Sequence, residues 1–494
     1  MSATAGRSGG HDPTLYNEDL APIPREQRNW SWVNYTTMWL GMVYNIVAYE
    51  TSANLLNQGF SPLQALMVVA VANAVLVAAM WINGLAGTKY GLPFPVLVRA
   101  VFGYTGARAL VLVRAFVAIF WFAVQTYAGC LAVDAILGVA VPGWSALREI
   151  SIIGMPLSVA VSFAVFWVLH AYVIGHGMER IKFFELWAGP IVIVLGLGLV
   201  VWAVNAAGGV APLFDQPSKL SGGEFWTAFG LSVTALVGVW ATLVLNISDF
   251  TRFSRSQRDQ MVGQTVGLPG TAVIFAVMSI AITAGTVVAF DRPIVNPVQL
   301  LQQFESPVIL LVGAGALLIA TLSVNVAANV VAPAYDLVNL LPRRLNFVKA
   351  GLISIVLGVL FMPWLWFDNS EAIFPVLNVI GGALGPIAGL MIADFFWVRR
   401  GNYDLDDFYE RGREFEYAHG WNLRAMAALG LSLAVVFSGL VLPALGLPQF
   451  AFLYTYSWFI GLAIAARSYM FLMRSSRSEA GAAEPTMGIA EELS

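Results

Sequence analysis

Long apolar runs separated by short polar segments dominate the pattern of this chain. A helix needs roughly 20 apolar residues to cross the hydrocarbon core of a bilayer, which is about 30 Å thick. Twelve runs of about that length are present, at 31–57, 62–85, 111–138, 152–173, 184–205, 225–247, 264–290, 307–332, 348–367, 371–397, 422–443 and 449–472. The pattern predicts an all-α integral membrane protein with twelve transmembrane helices.

The Lys and Arg residues are distributed unevenly between the two ends of the predicted helices. If both termini lie on one side, only Arg148, Lys219 and Arg292 of the 26 cations fall in loops on the other side. Cytoplasmic loops carry an excess of Lys and Arg. We therefore expect a multi-pass protein of the cell inner (plasma) membrane with both termini in the cytoplasm.

Two predicted helices contain glycine and polar residues at matching positions. The first contains Gly41–Asn45 in its middle, and the sixth, five helices later, contains Gly238–Trp240. Interrupted helices at corresponding positions of two halves are typical of inverted-repeat transporters. We therefore expect both helices to be broken at these positions, although glycines in membrane helices also serve close packing.

Composition narrows the function classes. The chain is 58% hydrophobic and 11% charged, with a net charge of −3, which gives no indication of nucleic-acid binding. Its single cysteine, Cys130, has no histidine nearby, and the four histidines lack metal-ligand spacing. No phosphate-binding motif is present. We therefore expect no enzyme, no metal, no cofactor and no obligate protein partner, and we expect the lipid bilayer as surroundings.

Polar side chains inside apolar runs are the candidates for a binding site. Trp121 and Gln125 are four residues apart, as are Asn325 and Asn329, so each pair shares one face of a helix. Buried polar groups at membrane depth are expensive and mark paths or pockets. An indole plane and neutral amides suit an uncharged, planar, amide-rich ring. Packing between helices is the alternative role for these residues.

Several long motifs occur in collinear order between Asn17 and Arg474. They are Asn17–Leu20, Asn83–Gly103, Trp121–Gln125, Gly177–Glu179, Phe184–Pro190, Trp240–Leu243, Ser248–Phe253, Ser323–Asn329 and Ala332–Asp336. With these motifs the chain resembles the nucleobase–cation symport-1 family, and within it the bacterial allantoin permeases.

The resemblance implies a LeuT-type fold, in which ten helices form two inverted five-helix repeats and two further helices follow. The expected organisation is a cytoplasmic N-terminal tail over 1–30, a first repeat over 31–205, a second repeat over 225–397, helices 11 and 12 over 422–472, and a disordered cytoplasmic tail over 474–494.

The resemblance also assigns roles to individual residues. Trp121 and Trp240 would enclose the substrate ring, Gln125 would pair with its edge, and the backbone carbonyl of Gly238 is a further candidate ligand. The implied substrate site consists of Asn45, Trp121, Gln125, Gly238, Trp240, Asn325 and Asn329. The expected function is a symporter that imports allantoin by alternating access. Uracil, cytosine or hydantoin transport within the family is the alternative, and a passive channel is the alternative from another class.

The resemblance indicates the identity of the coupling ion less directly than it indicates the substrate site. In sodium-dependent members the ion lies between helices 1 and 8, at positions matching Gly41, Tyr44, Ala320, Ser323 and Val324. Val324 lacks the hydroxyl expected at its position, which favours H⁺ over Na⁺ as the coupling ion.

Acidic residues inside apolar runs are the candidate proton carriers. Glu50 is the possible carrier, with a solvated position at the outer mouth as the alternative, and Asp134 is expected to make a structural contact. We expect Asp249 to cap a helix or pair with Arg252 near the cytoplasmic face. The segment 86–108 is expected to form a rigid internal element between helices 2 and 3.

Overall fold

The computed structural model describes residues 11–176, 178–367 and 373–477, without the side chains of 178–189, 191–192 and 475–477. The motif Gly177–Glu179, most of Phe184–Pro190, and most of the expected tail 474–494 therefore lie outside the described side chains. The helices are α1 Trp32–Val43, α2 Ile46–Asn57, α3 Pro62–Tyr90, α4 Phe94–Ala140, α5 Leu157–Gly175, α6 Met178–Ala207, α7 Ala211–Phe214, α8 Gly222–Asn246, α9 Ser248–Thr251, α10 Gln257–Phe290, α11 Pro297–Gln302, α12 Pro307–Asn329, α13 Val331–Leu340, α14 Phe347–Val359, α15 Ile373–Ala393, α16 Leu423–Ala444, α17 Phe452–Thr455 and α18 Ser457–Arg477. A short hairpin pairs β1 Ser151–Ile152 with β2 Met155–Pro156.

The helices account for twelve membrane spans. Within the described residues, nine are long and apolar enough to cross a bilayer, and Pro448–Thr455 with Ser457–Arg474, bent by 79°, can form a tenth. The pair α1–α2 and the partly described α6 complete the twelve. The prediction of a helical membrane protein with twelve spans is confirmed.

Two groups of helices pack around the centre of the protein. In the first, which we call the bundle, α3 packs against α8 and α10, and α10 packs against α1. In the second, the scaffold, α4 packs against α5, α12 and α13, and α14 packs against α5 and α13. Since α1 also contacts α12, the two groups meet along the broken helix α1–α2.

The break between α1 and α2 lies where the sequence predicts it. Tyr44 and Asn45 have extended backbone conformations, with φ −82° and ψ 91° at Tyr44 and φ −149° and ψ 168° at Asn45. Helix ends leave backbone groups without intrahelical partners. The Asn45 side chain satisfies both ends, because its Nδ2 donates to the Met42 and Val43 carbonyls and its Oδ1 accepts from the Ala48 N–H.

The predicted break at Gly238 is wrong. The helix α8 continues from Gly222 to Asn246, so the Gly238 carbonyl belongs to a regular helix whose backbone groups pair with one another. A Cβ at Gly238 would collide with the Leu377 carbonyl oxygen of α15 and lie 3.3 Å from the Gly381 N. The glycine therefore serves the close approach of α8 and α15, as small residues do in membrane helices.

This packing role predicts the effect of Gly238→Ala. The added methyl must push α15 away, and overpacking of this kind costs about 1–3 kcal/mol. We expect a lower apparent unfolding temperature in detergent, measured by thermal denaturation, with substrate affinity retained in the folded fraction. Gly315→Ala in α12 is the control, because a Cβ there meets no atom within 4 Å. A Gly238→Ala protein that is as stable as the wild type but has lost substrate affinity would contradict the packing role.

The segment 86–108 is more helical than expected. Helix α3 extends to Tyr90, a left-handed Gly91 with φ 72° ends it, and α4 begins at Phe94. Within α4, Gly103 has φ 78° and produces a kink, a conformation that glycine adopts without steric cost. The segment joins α3 of the bundle to α4 of the scaffold through three residues.

Candidate functional site

A small cavity lies at the α1–α2 break, between the bundle and the scaffold. The space that a water molecule can occupy in it is about 20 Å³, or roughly one water. A ring of allantoin size therefore requires the cavity to widen. Its lining comprises Asn45, Val47, Ala48, Trp121, Gln125, Val239, Trp240, Thr242, Leu243, Val324, Ala328 and Asn329.

The scaffold helix α4 contributes two polar atoms without partners. Trp121 Nε1 and Gln125 Oε1 are both buried, and neither has a hydrogen-bond partner among the described residues. A buried polar group that lacks a partner is costly, by about 1–3 kcal/mol. The cavity thus presents one free donor and one free acceptor, four residues apart on one helix face.

The Asn45 side chain holds the broken helix but has no free polar group to offer. Besides its contacts at the two helix ends, its Oδ1 accepts a hydrogen bond from Gln125 Nε2 at 3.1 Å. The Asn45 amide thus donates two hydrogen bonds and accepts two, which is the full hydrogen-bonding capacity of the group. The pair ties the bundle to the scaffold and orients the Gln125 amide so that Oε1 remains unpaired.

Helix α12 contributes the two asparagines, but in different ways. Asn329 lines the cavity, and its Nδ2 donates to Asn325 Oδ1 at 2.9 Å. Asn325 lies behind it, fully buried, and its Nδ2 is 3.0 Å from both Thr126 Oγ1 and His170 Nε2. Asn325 therefore braces Asn329 and does not itself line the cavity.

Sequence reasoning missed His170 as part of this site. Its Nδ1 lies 2.8 Å from the Phe166 carbonyl, an acceptor, so the proton is on Nδ1 and Nε2 accepts from Asn325. No local sequence signal links α5 to α12, because the contact spans 155 positions. The chain from His170 through Asn325 to Asn329 fixes the orientation of an amide in the cavity wall.

On the bundle side, Trp240 separates two cavities. Its ring packs edge-on against Trp39, with centroids 5.5 Å apart. Trp240, Ala48 and Val239 also line a neighbouring space of about 40 Å³, which contains Thr51, Ser52 and Asn73 among its polar residues. The Trp240 indole thus forms part of the wall of both spaces, whereas Gly238 lines neither of them.

The candidate ion-site residues lie on α1 and α12, which are in contact. Gly41 and Tyr44 are at the end of α1, and Ser323 is buried in α12 with an Oγ that has no partner among the described residues. Ala320 is likewise buried. Val324 lines the central cavity, so its isopropyl group stands where an additional oxygen was expected.

Glu50 is buried, not solvated at the outer mouth. Only 5% of its surface is exposed, and Asn296 Nδ2 donates to its Oε1 at 2.5 Å. Asn296 is also the N-cap of α11, where its Oδ1 accepts from the Val298 and Gln299 N–H groups. The carboxyl group thus connects α2 of the bundle to the short helix of the α10–α12 connection.

The other acidic residues have structural partners. Asp134 accepts from Trp144 Nε1 at 2.8 Å and pairs with Arg148 at 2.7 Å, so it holds a loop rather than another helix. Asp249 accepts from the Phe94 N–H at the start of α4 at 2.8 Å, which makes it a helix cap. Its ionic partner is Arg114, at 3.9 Å.

Arg114 is the centre of a buried charge cluster. It forms an ion pair with Asp336 of α13 and lies near Asp249 of α9, and all three side chains are at most 1% exposed. The expected Asp249–Arg252 pairing is absent among the described contacts, since Arg252 donates instead to the carbonyls of Asp19 and Ala21. The cluster joins the bundle and the scaffold on the side of the N-terminal segment.

One surface group within the described residues has metal-ligand spacing. The ligand atoms of His11, Asp406 and Glu410 lie within 4.8 Å of one another. Arg413 pairs with both carboxylates, at 3.7 Å from Asp406 and 2.6 Å from Glu410. These two carboxylates therefore already share a cation of the protein itself.

Comparison with known proteins gives a consistent result. A family described as "Permease for cytosine/purines, uracil, thiamine, allantoin" matches residues 22–461. The allantoin permease of Bacillus subtilis (strain 168) is 43% identical over 463 residues, which cover 93% of each chain. The purine-uracil permease NCS1 of Arabidopsis thaliana is 34% identical, covering 94% of this chain and 78% of its own. Mhp1, a nucleobase-cation-symport-1 family transporter solved in a closed conformation with bromovinylhydantoin bound, superposes with a TM-score of 0.80 over 94% of this chain and 96% of its own, at 24% identity. The likeness to Mhp1 shows the expected LeuT-type fold.

Proposed function

This chain belongs to the family of permeases for cytosine, purines, uracil, thiamine and allantoin, and on that premise we propose that it is a symporter that imports allantoin. The observation that carries the proposal is the pair of unpartnered atoms in the central cavity, Trp121 Nε1 and Gln125 Oε1. A ring with alternating N–H and C=O groups can satisfy both atoms at once. The relative named allantoin permease, at 43% identity, favours allantoin among such rings.

The cavity chemistry supports a neutral substrate. Its polar lining consists of indole, amide and hydroxyl groups, and none of the described residues that line it is charged. A carboxylate or an ammonium would therefore be buried there without a compensating charge, which is strongly unfavourable. Trp121 and Trp240 supply aromatic faces for the ring, Gln125 and Asn329 supply amide edges, and Asn45 and Asn325 orient them.

Binding to the purified protein tests the substrate class. We expect allantoin to quench tryptophan fluorescence saturably, with hydantoins, uracil and cytosine as weaker competitors and a charged analogue such as allantoate without effect. Tighter binding of uracil or cytosine than of allantoin would instead identify the chain as a uracil or cytosine permease of the family. Rapid passage of allantoin without saturation would favour a passive channel.

Transport would proceed by alternating access. Residues 31–205 and 225–397 would form the two inverted repeats, with 422–472 outside them, and the bundle would rock against the scaffold. The polar space beyond Trp240, which contains Thr51, Ser52 and Asn73, would be the outer approach to the site. The bias of 23 of the 26 cations to one side supports cytoplasmic termini in the plasma membrane.

We propose H⁺ rather than Na⁺ as the coupling ion. Sodium would require oxygens from Gly41, Tyr44, Ala320 and Ser323 alone, because Val324 contributes none. Glu50 would carry the proton, since it is a buried carboxyl with a single described partner, Asn296. Protonation of Glu50 would remove the negative charge of the carboxylate that accepts the hydrogen bond from Asn296 and so links α2 to α11.

Glu50→Gln should uncouple transport from the proton gradient. The amide keeps the size of the side chain but cannot titrate, so accumulation in proteoliposomes should fall to the external concentration while allantoin exchange persists. For one proton per substrate, a gradient of about one pH unit supports about tenfold accumulation in the wild type. Glu224→Gln, at the exposed start of α8, is the matched control. Undiminished accumulation by Glu50→Gln would exclude Glu50 as the carrier.

A further inference from the structure

A second, larger cavity, which shares no lining residue with the central one, lies at the start of α16, near the ends of α15 and α18. We call it the α16 pocket. Its volume is about 630 Å³, and an adjoining space of about 260 Å³ shares Val398 and Met473 with it. The loop 399–422 that borders the pocket also contacts the N-terminal segment, since Arg411 pairs with Asp12 at 2.6 Å. The pocket is therefore on the side proposed above to be cytoplasmic.

Three arginines around the pocket have no acidic partner. Arg424 lines the α16 pocket, and Arg400 and Arg474 line the adjoining space. None of the three forms an ion pair or hydrogen bond with another described residue, in contrast to most cations of the loop 399–422. Unpaired arginines that line two adjoining spaces provide a site for an anion, and their planar groups match phosphate geometry.

The fourth arginine of the pocket, Arg399, is already neutralised. It forms an ion pair with Glu414 at the pocket wall and lies 3.6 Å from the buried Asp394. Tyr417 Oη accepts from its Nη2 at 2.6 Å. These contacts fix one wall of the pocket, and the positive charge available to a ligand comes from the other three arginines.

The start of α16 adds backbone donors to this site. Asn422 is the N-cap, and its Oδ1 accepts from the Ala425 N–H at 3.3 Å. The N–H groups of Leu423 and Arg424 precede the first possible intrahelical bond, and both residues line the pocket. A helix of 22 residues also places partial positive charge at this end. Residues with free backbone N–H groups and the cationic residue Arg424 thus line the same cavity.

Leu423 of the α16 pocket and Trp397 of the adjoining space are largely exposed. Phe471 is also exposed; it lines neither space but precedes the lining residue Met473 by two positions on α18. Trp397 is 54% exposed, Leu423 65% and Phe471 72%. Tryptophan is enriched at membrane–water interfaces, and large exposed apolar residues beside it belong in contact with acyl chains. Apolar and cationic side chains lie next to each other at the pocket, as acyl chains and headgroups do in a bilayer.

We propose that the α16 pocket and the adjoining space together bind the phosphate headgroup of an anionic phospholipid from the cytoplasmic leaflet. Arg400, Arg424 and Arg474 and the α16 N-terminus hold the phosphate, and Trp397, Leu423 and Phe471 contact the acyl chains. The proposal depends on the cytoplasmic orientation but not on the transported substrate. An alternative occupant within the chain is the segment 478–494, which contains four glutamates but supplies no phosphate.

Native mass spectrometry of the full chain tests this assignment. The protein is exchanged from detergent into vesicles of phosphatidylcholine with added phosphatidylglycerol, and retained lipid is counted. We expect selective retention of phosphatidylglycerol, weakened on the order of 100-fold in R400Q/R424Q/R474Q, since each surface cation contributes about a fivefold effect. R258Q/R343Q/R344Q, which removes three exposed arginines of the same side, should retain the lipid as the wild type does.

Three further outcomes would overturn the proposal. Equal retention of phosphatidylglycerol and phosphatidylcholine would exclude headgroup recognition. Displacement of the lipid by millimolar inorganic phosphate alone would identify a site for a free anion. A chain that ends at Arg477 and retains phosphatidylglycerol only after that deletion would show that the acidic segment is the occupant. Thermal unfolding with each lipid shows in parallel that the triple variant is folded.

Discussion

Trp121→Ala and Gln125→Ala should each weaken allantoin binding roughly 10- to 100-fold and abolish measurable uptake at low substrate concentration. Loss of an aromatic plane under a heterocyclic ring costs about 1–3 kcal/mol, and a buried polar group left without its partner costs a similar amount. Gln125→Ala also removes the donor to Asn45 Oδ1, which links the bundle to the scaffold. Equilibrium binding to purified protein measures the effect directly, and uptake in cells shows its consequence.

Matched variants separate the two contributions of Trp121. Trp121→Phe keeps an aromatic plane but removes the free Nε1 donor, so its affinity should fall between those of the wild type and Trp121→Ala. Trp226→Ala controls for loss of a tryptophan, since Trp226 is 61% exposed and lines neither the central cavity nor the space beyond Trp240. Wild-type affinity in folded Trp121→Ala and Gln125→Ala proteins would show that the substrate binds elsewhere.

Arg114→Ala should be the most destabilising single substitution considered for this chain. Its removal leaves Asp336 and Asp249 buried without a counter-charge, and breaking a buried ion pair from one side costs about 3–5 kcal/mol. Most of the protein should then fail to fold, which fluorescence-detected size-exclusion chromatography measures as loss of the monodisperse peak.

Two further variants test the cause of that loss. Arg114→Ala combined with Asp336→Asn removes one unpaired carboxylate and should recover part of the folded protein. Arg255→Ala removes an exposed arginine from its pair with Asp259, and a surface pair of this kind contributes about 1 kcal/mol or less. A folded, stable Arg114→Ala protein would mean that the cluster is accessible to water or to another cation.

The sequence predicted the centre of the site because its signals were local. Trp121 and Gln125 are polar or aromatic positions of one helix face inside an apolar run, and the structure places both on the cavity. Asn45 follows the same logic, since a polar residue in the middle of a membrane helix must satisfy the backbone groups of a break. These residues were identifiable from spacing alone, while their role toward a substrate stays a prediction.

Gly238 is a residue whose structural role cannot be predicted from the neighbouring sequence. A glycine in a membrane helix is compatible with a break and with close packing, and the choice depends on the neighbouring helix. The approach of Leu377 and Gly381, about 140 positions away in the chain, decides it in favour of packing. No pattern within the sixth predicted helix contains that information.

Partners between distant helices were missed for the same reason. Asp249 was expected to cap a helix or to pair with Arg252; it caps α4, and its ionic partner is Arg114 of another helix. His170 appeared to lack a role because its partner, Asn325, lies on α12. Hydrophobic periodicity gives the helices and their faces, whereas the pairing of buried polar groups depends on tertiary packing.

Uptake of radiolabelled allantoin by cells that express this chain tests the central claim most directly. The measurement is made with unlabelled hydantoins, uracil, cytosine and purines as competitors, with and without sodium, and with a protonophore. We predict saturable uptake that allantoin-like rings compete for best, that does not require sodium, and that the protonophore abolishes. Absence of saturable allantoin uptake, with a nucleobase transported instead, would contradict the substrate assignment, and a strict requirement for sodium would contradict the proton coupling inferred from Val324 and Glu50.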